Sequence, residues 1–405
     1  MLKSLLVTRY RPYPPIGGSS LRNWQTINAL AQWGQVTVFS VNLDPIVPQT
    51  YPSIHHWAHH RLTEINWQDR LGRRLWPLRP WGQPDIDRYF SSEAWQALKR
   101  LINSCQPDLI VVAEVYLFAY LWRLKKLKLP LIFDNHNAEA NLFEQTFGKT
   151  RIQLPRMYAV EKACLANASQ AWVCSEQDAQ ILGRLYGLDD KTHIIPNTVN
   201  VQDYAPILSG TQTLPPDLPL TPHQVIFTGT YNYPPNGEAA RILIEQIYPQ
   251  LKQRYSDCRL LLVGLNPTGK MREAADKDPD IVVTGRVETV APYLAAASVM
   301  VLPLQAGSGT RLKILEAFAA GLPVVTTPKG IEGIRIASDQ TALIHETAEQ
   351  ITAAITELWN QPERARKLAG AAYKLVNAEY SWEANQSRIA QALQTLPNIA
   401  KKISK

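Results

Sequence analysis

Gly307-Ser308-Gly309-Thr310-Arg311-Leu312-Lys313-Ile314-Leu315-Glu316-Ala317 carries the densest chemistry in this 405-residue chain. It follows an apolar run, Val299–Leu302, and leads into a segment of helical period. Glycines at a strand-to-helix turn let backbone N–H groups face outward at a helix start, where free amides and the helix dipole favour an anion such as a diphosphate. Arg311 and Lys313 add fixed positive charge there. Glu316, further along the same helix, has the two acceptor oxygens needed to hold vicinal sugar hydroxyls such as a ribose diol. From composition alone, a solvated helix start with an i,i+3 ion pair between Lys313 and Glu316 accounts for these residues equally well.

Other clusters are less specific. Pro14-Pro15-Ile16-Gly17-Gly18-Ser19-Ser20 is a second glycine turn, after the first strand and before an apparent helix. It is not G-x-G-x-x-G, which disfavours a nicotinamide dehydrogenase. Gly264 to Met271 approaches a P-loop, but Met271 stands where that motif needs a hydroxyl for magnesium, so an ordinary turn explains it better. His136, in Asp134-Asn135-His136-Asn137-Ala138-Glu139, follows an apolar strand whose carboxyl end faces the expected cleft, and it can donate to a sugar hydroxyl or a developing charge. His55, His56, His59 and His60 contain i,i+4 pairs, and Asp85/Asp87, Asp276/Asp278 and Asp278/Asp280 are D-x-D matches. Polar surface and solvated loops are the simpler readings, and no metal site is expected. Trp57, Trp67, Trp76, Trp81 and Trp95 interleave with Arg61, Arg70, Arg73, Arg74, Arg79 and Arg88, a composition suited to a lipid headgroup interface or to sugar stacking. Core tryptophans among solvated arginines are the competing explanation.

The elements that must position these residues alternate between short apolar runs and helical segments, the signature of doubly wound parallel sheets. Strands are predicted near residues 2–8, 36–41, 109–112, 131–133, 171–173 and 193–195, and again near 225–228, 260–263, 281–283, 299–302 and 323–326. Between the two sets lies a proline-rich stretch, 206–222, that reads as a linker. The expected organisation is an N-terminal Rossmann-like domain (1–205), the linker (206–222), a second Rossmann-like domain (223–380) and a closing helix (381–405). Two such halves imply a cleft, because ligands of open parallel sheets bind beyond the strands' carboxyl ends.

Composition sets the outer limits. Hydrophobic residues make up 45% of the chain and charged residues 19%, so neither disorder nor a fibrous repeat fits. Four cysteines without a C-x-x-C pair point to a reducing, cytoplasmic setting rather than a disulfide or zinc framework. The apolar stretch from Leu109 to Trp122 is broken by Glu114 and is too short to span a bilayer. A net charge of +7 can attract phosphate, anionic membrane or nucleic acid without choosing among them.

Taken together, the residues resemble the retaining GT-B-fold glycosyltransferases of group 1, or family 4. The landmarks are Gly17-Gly18, Asp134 to Glu139, Ile195-Pro196-Asn197-Thr198-Val199-Asn200, Gly285-Arg286-Val287 and Gly307 to Val325. The resemblance implies a nucleoside diphosphate sugar in the C-terminal domain, with Glu316 on the ribose, Arg311 and Lys313 near the diphosphate, Gly307 to Thr310 at the helix start, and Gly285, Arg286 and Val287 near the base. Gly17, Gly18 and His136 would approach the sugar from the N-terminal domain, and Tyr380-Ser381-Trp382-Glu383 would open a helix crossing back onto it. Two departures stand out. The family's pair of glutamates eight apart keeps only Glu316, because its first position is Ser308. The basic residues that many members use on the diphosphate are absent around Tyr231 to Asn236. The implied activity is metal-independent, retaining sugar transfer to a lipid-linked or saccharide acceptor, at the cytoplasmic membrane face and without nucleic acid. An epimerase on the same fold and a noncatalytic basic sugar- or nucleic-acid-binding protein are the alternatives.

Overall fold

The computed structural model describes residues 1–15, 17–43, 51–62, 67–75, 78, 82–148, 153–187, 190–307, 309–336 and 339–403. The chain divides into two compact units, Met1–Pro196 with Asn385–Lys405, and Asn197–Ala384.

The first unit holds a seven-stranded parallel sheet built from β1 (Leu2–Thr8), β2 (Gly34–Asn42), β3 (His56–Arg61), β4 (Leu109–Ala113), β5 (Leu131–Asn135), β6 (Gln170–Val173) and β7 (Thr192–Ile194), in the order β3-β2-β1-β4-β5-β6-β7. Both faces are covered, so its strands are apolar runs rather than alternating ones. Alternate residues serve two cores. Leu5, Val7, Phe39, Ile110, Val112 and Phe133 face one, while Leu2, Leu6, Val38, Val111 and Ile132 face the other together with Ile389 and Leu393 from the helix Trp382–Gln394. Gln170 Nε2 fixes that helix end by donating to the Ala392 carbonyl at 2.5 Å and to Thr395 Oγ1 at 2.7 Å.

The second unit repeats the plan with β8 (Gln224–Thr228), β9 (Arg259–Val263), β10 (Ile281–Gly285), β11 (Val299–Leu302), β12 (Val324–Thr326) and β13 (Leu343–Ile344), in the order β10-β9-β8-β11-β12-β13, again all parallel. In each sheet the chain winds outward one way and then the other. The direction switches between β1 and β4 in the first and between β8 and β11 in the second, and at such switch points the diverging loops open a crevice.

Eleven strands lie where the apolar runs predicted them, and two do not. β3 runs through the histidine cluster, pairing with β2 from Thr37↔His56 to Asn42↔Arg61. As an edge strand it buries Trp57 (5% exposed) and turns polar residues outward, so it lacks the apolar run of its neighbours. β13 is only two residues long.

Candidate functional site

At the second switch point, Gly229 follows β8 and the loop after β11 carries Gly307, with φ +106°, and Gly309, with φ +79°. These backbone conformations suit glycine, and they bring the chain to Arg311, the N-cap of the helix Leu312–Ala319. A Cβ added at Gly307 would stand 2.9 Å from Arg311 Nη2 and 3.1 Å from the Tyr233 hydroxyl. The helix start is buried on one side by Leu312, Ile314 and Leu315, which leaves Arg311, Lys313 and Glu316 half-buried at the rim.

Lys313 does not pair with Glu316 as an i,i+3 contact. Its Nζ donates to Asn236 Oδ1 at 2.9 Å, lies 4.4 Å from the centre of the Phe227 ring and stands 3.0 Å from where a Cβ on Gly229 would be. Asn236 is held amide-first, with Nδ2 donating to the Thr230 carbonyl at 3.0 Å. Among the described residues Lys313 has no carboxylate within ion-pair reach. Burial, with Arg311 adding like charge, brings its pKa down to about 7 against a weaker pull from Glu316. Burial raises the pKa of Glu316, while Lys313 and a hydrogen bond from the Tyr204 hydroxyl oppose the rise. Thr310 Oγ1 is buried without a hydrogen bond. Lys313 thus has a neutral amide for its partner and a second cation, Arg311, beside it, a setting that favours an anion.

The first switch point is built differently. Arg9 follows β1 and Glu114 follows β4, and they pair across it, with Arg9 Nε on Glu114 Oε2 at 2.5 Å and Nη2 on Oε1 at 3.4 Å. Arg9 is boxed by the rings of Tyr10, Tyr89 and Tyr116, its guanidinium carbon 4.5, 5.1 and 4.3 Å from their centres. Ser19 Oγ, from the first turn of the helix Gly18–Ala31, donates to Glu114 Oε1 at 3.0 Å and ties the Gly17-Gly18 turn to the same carboxylate. Gly17 adopts φ +82° and caps that helix with no side chain in the way.

One strand further on, Arg22 Nε and Nη2 donate to Asp134 Oδ1 at 2.8 and 2.5 Å, and Nη1 donates to the Ile195 carbonyl at 2.7 Å. His136, 5% exposed, sits between the two carboxylates, with Nδ1 3.3 Å from Glu114 Oε1 and Nε2 3.7 Å from Asp134 Oδ2. These are ion-pair separations outside hydrogen-bond alignment. Burial disfavours the imidazolium, but Glu114 and Asp134 outweigh it and raise the His136 pKa. Burial likewise opposes the charge on Glu114, yet Arg9 and His136 hold its carboxyl at about 2.

Family models match both units: "Glycosyltransferase Family 4" over residues 16–203 and "Glycosyl transferases group 1" over residues 222–361. The chain belongs to the group 1 glycosyltransferases. A phosphatidyl-myo-inositol mannosyltransferase of Mycolicibacterium smegmatis is 27% identical over 217 residues, 52% of this chain and 53% of the relative. The chain thus spans about half the length of the curated relatives it matches. Among solved structures, sucrose-phosphate synthase from Thermosynechococcus elongatus has a TM-score of 0.71 at 22% identity, covering 98% of this chain and 99% of that one. Anabaena HepE in complex with UDP has a TM-score of 0.68 at 14% identity, covering 98% and 100%. At such identities these likenesses show the fold, and the fold is GT-B.

Within this glycosyltransferase-family chain, Gly307, Gly309, Thr310, Arg311, Lys313 and Glu316 gather at the carboxyl end of the second sheet. Ser308 lies outside the described residues. Gly285, with φ +69°, closes β10, followed by exposed Arg286 and half-buried Val287. Gly17, Gly18 and His136 belong to the first unit. Sequence reasoning missed Arg9, Arg22, Glu114, Tyr204 and Asn236. Glu114 was noted only as a break in an apolar run, which was its one local signal. Its backbone, at φ 69° and ψ 151°, lies in a region that is essentially glycine's and costs about 1–3 kcal/mol, a strain that persists where surrounding contacts over-determine it.

The other clusters lie in ordinary secondary structure, and the D-x-D matches differ from the solvated loops expected, with Asp85 and Asp87 in the helix Pro84–Asp87 and Asp276 in the helix Gly269–Lys277. Thr268 caps the helix Gly269–Lys277 with Oγ1 on the Met271 N–H at 3.3 Å, which makes the near P-loop an ordinary turn. Asp280 pairs with Lys252 and with Arg259 at 2.9 Å, and His59 Nδ1 meets Ser40 Oγ at 2.9 Å. Among the described residues no group of three or more His, Cys, Asp or Glu is placed to hold a metal. Trp57 is a core residue, and Trp76, Arg79 and Trp81 lie outside the described residues.

Proposed function

We propose that this protein transfers a sugar from a nucleoside diphosphate sugar to an acceptor hydroxyl with retention at the anomeric carbon. The observation that carries this reading is Lys313: a cation at the second switch point, hydrogen-bonded to a neutral amide and beside Arg311, at a glycine-turned helix start. Charge grows on the diphosphate as the bond to the anomeric carbon breaks, and preorganised cations and amides act where it grows. The acceptor oxygen bonds to that carbon, and its proton passes to the departing phosphate oxygen. Arg311 and Lys313 supply the neutralisation, so the reaction is expected to proceed in EDTA. Glu316 takes the ribose diol, with Tyr204 steadying its carboxylate, and Gly285, Arg286 and Val287 border the base.

In the first unit, Gly17 and Gly18 offer amides to the sugar and His136 offers an imidazolium. His136 rests against Glu114 and Asp134, so contact with a sugar hydroxyl requires the ring to leave one of them.

A glycolipid or polysaccharide acceptor fits the name of the mannosyltransferase relative and a basic, apolar-tipped surface on the first unit. Leu71 is exposed beside Arg70 and Arg74 on the helix Trp67–Arg74, and Leu127 is exposed between Lys126 and Lys128. No helix among the described residues is long and apolar enough to cross a membrane, and peripheral contact with the anionic cytoplasmic face is the mode this surface suits.

Calorimetric binding of UDP, GDP, ADP and dTDP in EDTA tests the donor site and names the base. Selective binding lost in Glu316→Ala supports the reading, and no binding of any of the four would overturn it. With the matching donor, proton NMR of the product distinguishes retained from inverted linkage, and isomerised donor without acceptor would identify an epimerase.

A further inference from the structure

Sugar transfer as proposed above leaves Glu114 without a role, although two other side chains converge on it. Arg9 Nε, Arg9 Nη2 and Ser19 Oγ converge on its carboxylate at 2.5, 3.4 and 3.0 Å, it is 2% exposed, and its backbone is held at φ 69°. Asp134, on the other side of His136, is fixed through Oδ1 by Arg22, while its Oδ2 is buried without a hydrogen bond. The imidazole is also nearer to Glu114, at 3.3 Å against 3.7 Å. We propose that Glu114 is the positioning residue of His136, anchoring Nδ1 at Oε1 so that the ring turns about that contact and presents Nε2 to a sugar hydroxyl. Cys174 Sγ, donating to the His136 carbonyl at 3.0 Å, holds the backbone around which the ring turns.

The charged groups that meet the imidazole are Glu114 from the end of β4, with Arg9 behind it, and Asp134 from its own strand, with Arg22 behind it. Both neighbouring carboxylates are held ionised by arginines, so each favours a proton on the ring nitrogen that faces it. Only what Nε2 meets rests on the glycosyl-transfer reading; the anchoring itself is a property of the first unit.

The test is the titration of His136 by NMR on 15N/13C-histidine-labelled full-length protein without added substrate, its resonances assigned by their loss in His136→Gln. In the wild type both ring nitrogens are expected to carry protons at neutral pH. In Glu114→Gln the midpoint is expected to fall by about one pH unit or more, a tenfold loss of proton affinity, and Glu114→Asp should recover part of it. A folded Glu114→Gln with an unmoved midpoint would overturn the proposal. So would a neutral His136 in the wild type at neutral pH, a measurement that decides the matter even where no variant folds. Failure to detect sugar transfer would remove the enzymatic reading and leave the titration result standing.

Discussion

The two sheets share one winding plan, yet their switch points carry opposite electrostatics. Around the carboxyl ends of β1, β4 and β5, Arg9 meets Glu114, Arg22 meets Asp134, and His136 lies between the two carboxylates. Between β8 and β11 the cation Lys313 is met by an amide and an aromatic face, with Arg311 close by. The same backbone topology thus produces one end of paired charges and one end where a lysine has an amide for its partner. A neutralised end suits a hydroxyl-rich, uncharged group and a cationic end suits a diphosphate, which is the division of labour that the proposed sugar transfer would use.

The comparison breaks most severely if the balanced end is not held by its pairs. Arg22→Met strands the buried carboxylate of Asp134 and is expected to cost about 3–5 kcal/mol in urea unfolding; a loss below about 1 kcal/mol would show that the pair is not what holds the β5 end. Next is the cationic end. Arg311→Ala combined with Lys313→Ala should lower turnover more than about 10²-fold if these charges act mainly on the transition state, and single-turnover rates with a saturating donor check it. Glu316→Ala is expected to weaken nucleoside diphosphate binding about 10- to 100-fold, the range of hydrogen bonds to a charged group, and unaltered calorimetric affinity would remove Glu316 from the ribose.

The smallest effect concerns pH. Lys313, with its pKa near 7, loses its charge as pH rises through that value, whereas a bound diphosphate favours the charged form. Binding therefore takes up a proton above neutrality, and affinity falls by at most about tenfold per pH unit until the bound-state value is reached. Calorimetry in buffers of different ionisation enthalpy measures the uptake, and Lys313→Met should abolish it.

Much of the architecture was legible because parallel strands buried on both faces are written as apolar runs, and eleven of these coincide with strands. β3 was not, because an edge strand with His56, His59 and His60 has no such run. The glycine turn and the cations at Gly307 to Glu316 were legible because one helix start gathers them within ten residues. Asn236 lay in a stretch distinguished only by its lack of basic residues, and its contact with Lys313 joins positions 77 apart.

The sequence by itself determined the two parallel sheets, the helix start that gathers Arg311 and Lys313, and the place of His136 at a strand's carboxyl end, because each follows from local pattern. Only the tertiary structure decided which charges meet. Arg9 reaches Glu114 across 105 residues, Arg22 reaches Asp134 across 112, and Lys313 turns from the nearby Glu316 to a distant amide. The physical reason is strand order: a switch point brings together the ends of strands separated by several crossovers, and burial there sets the protonation of groups that in an unfolded chain would be ordinary.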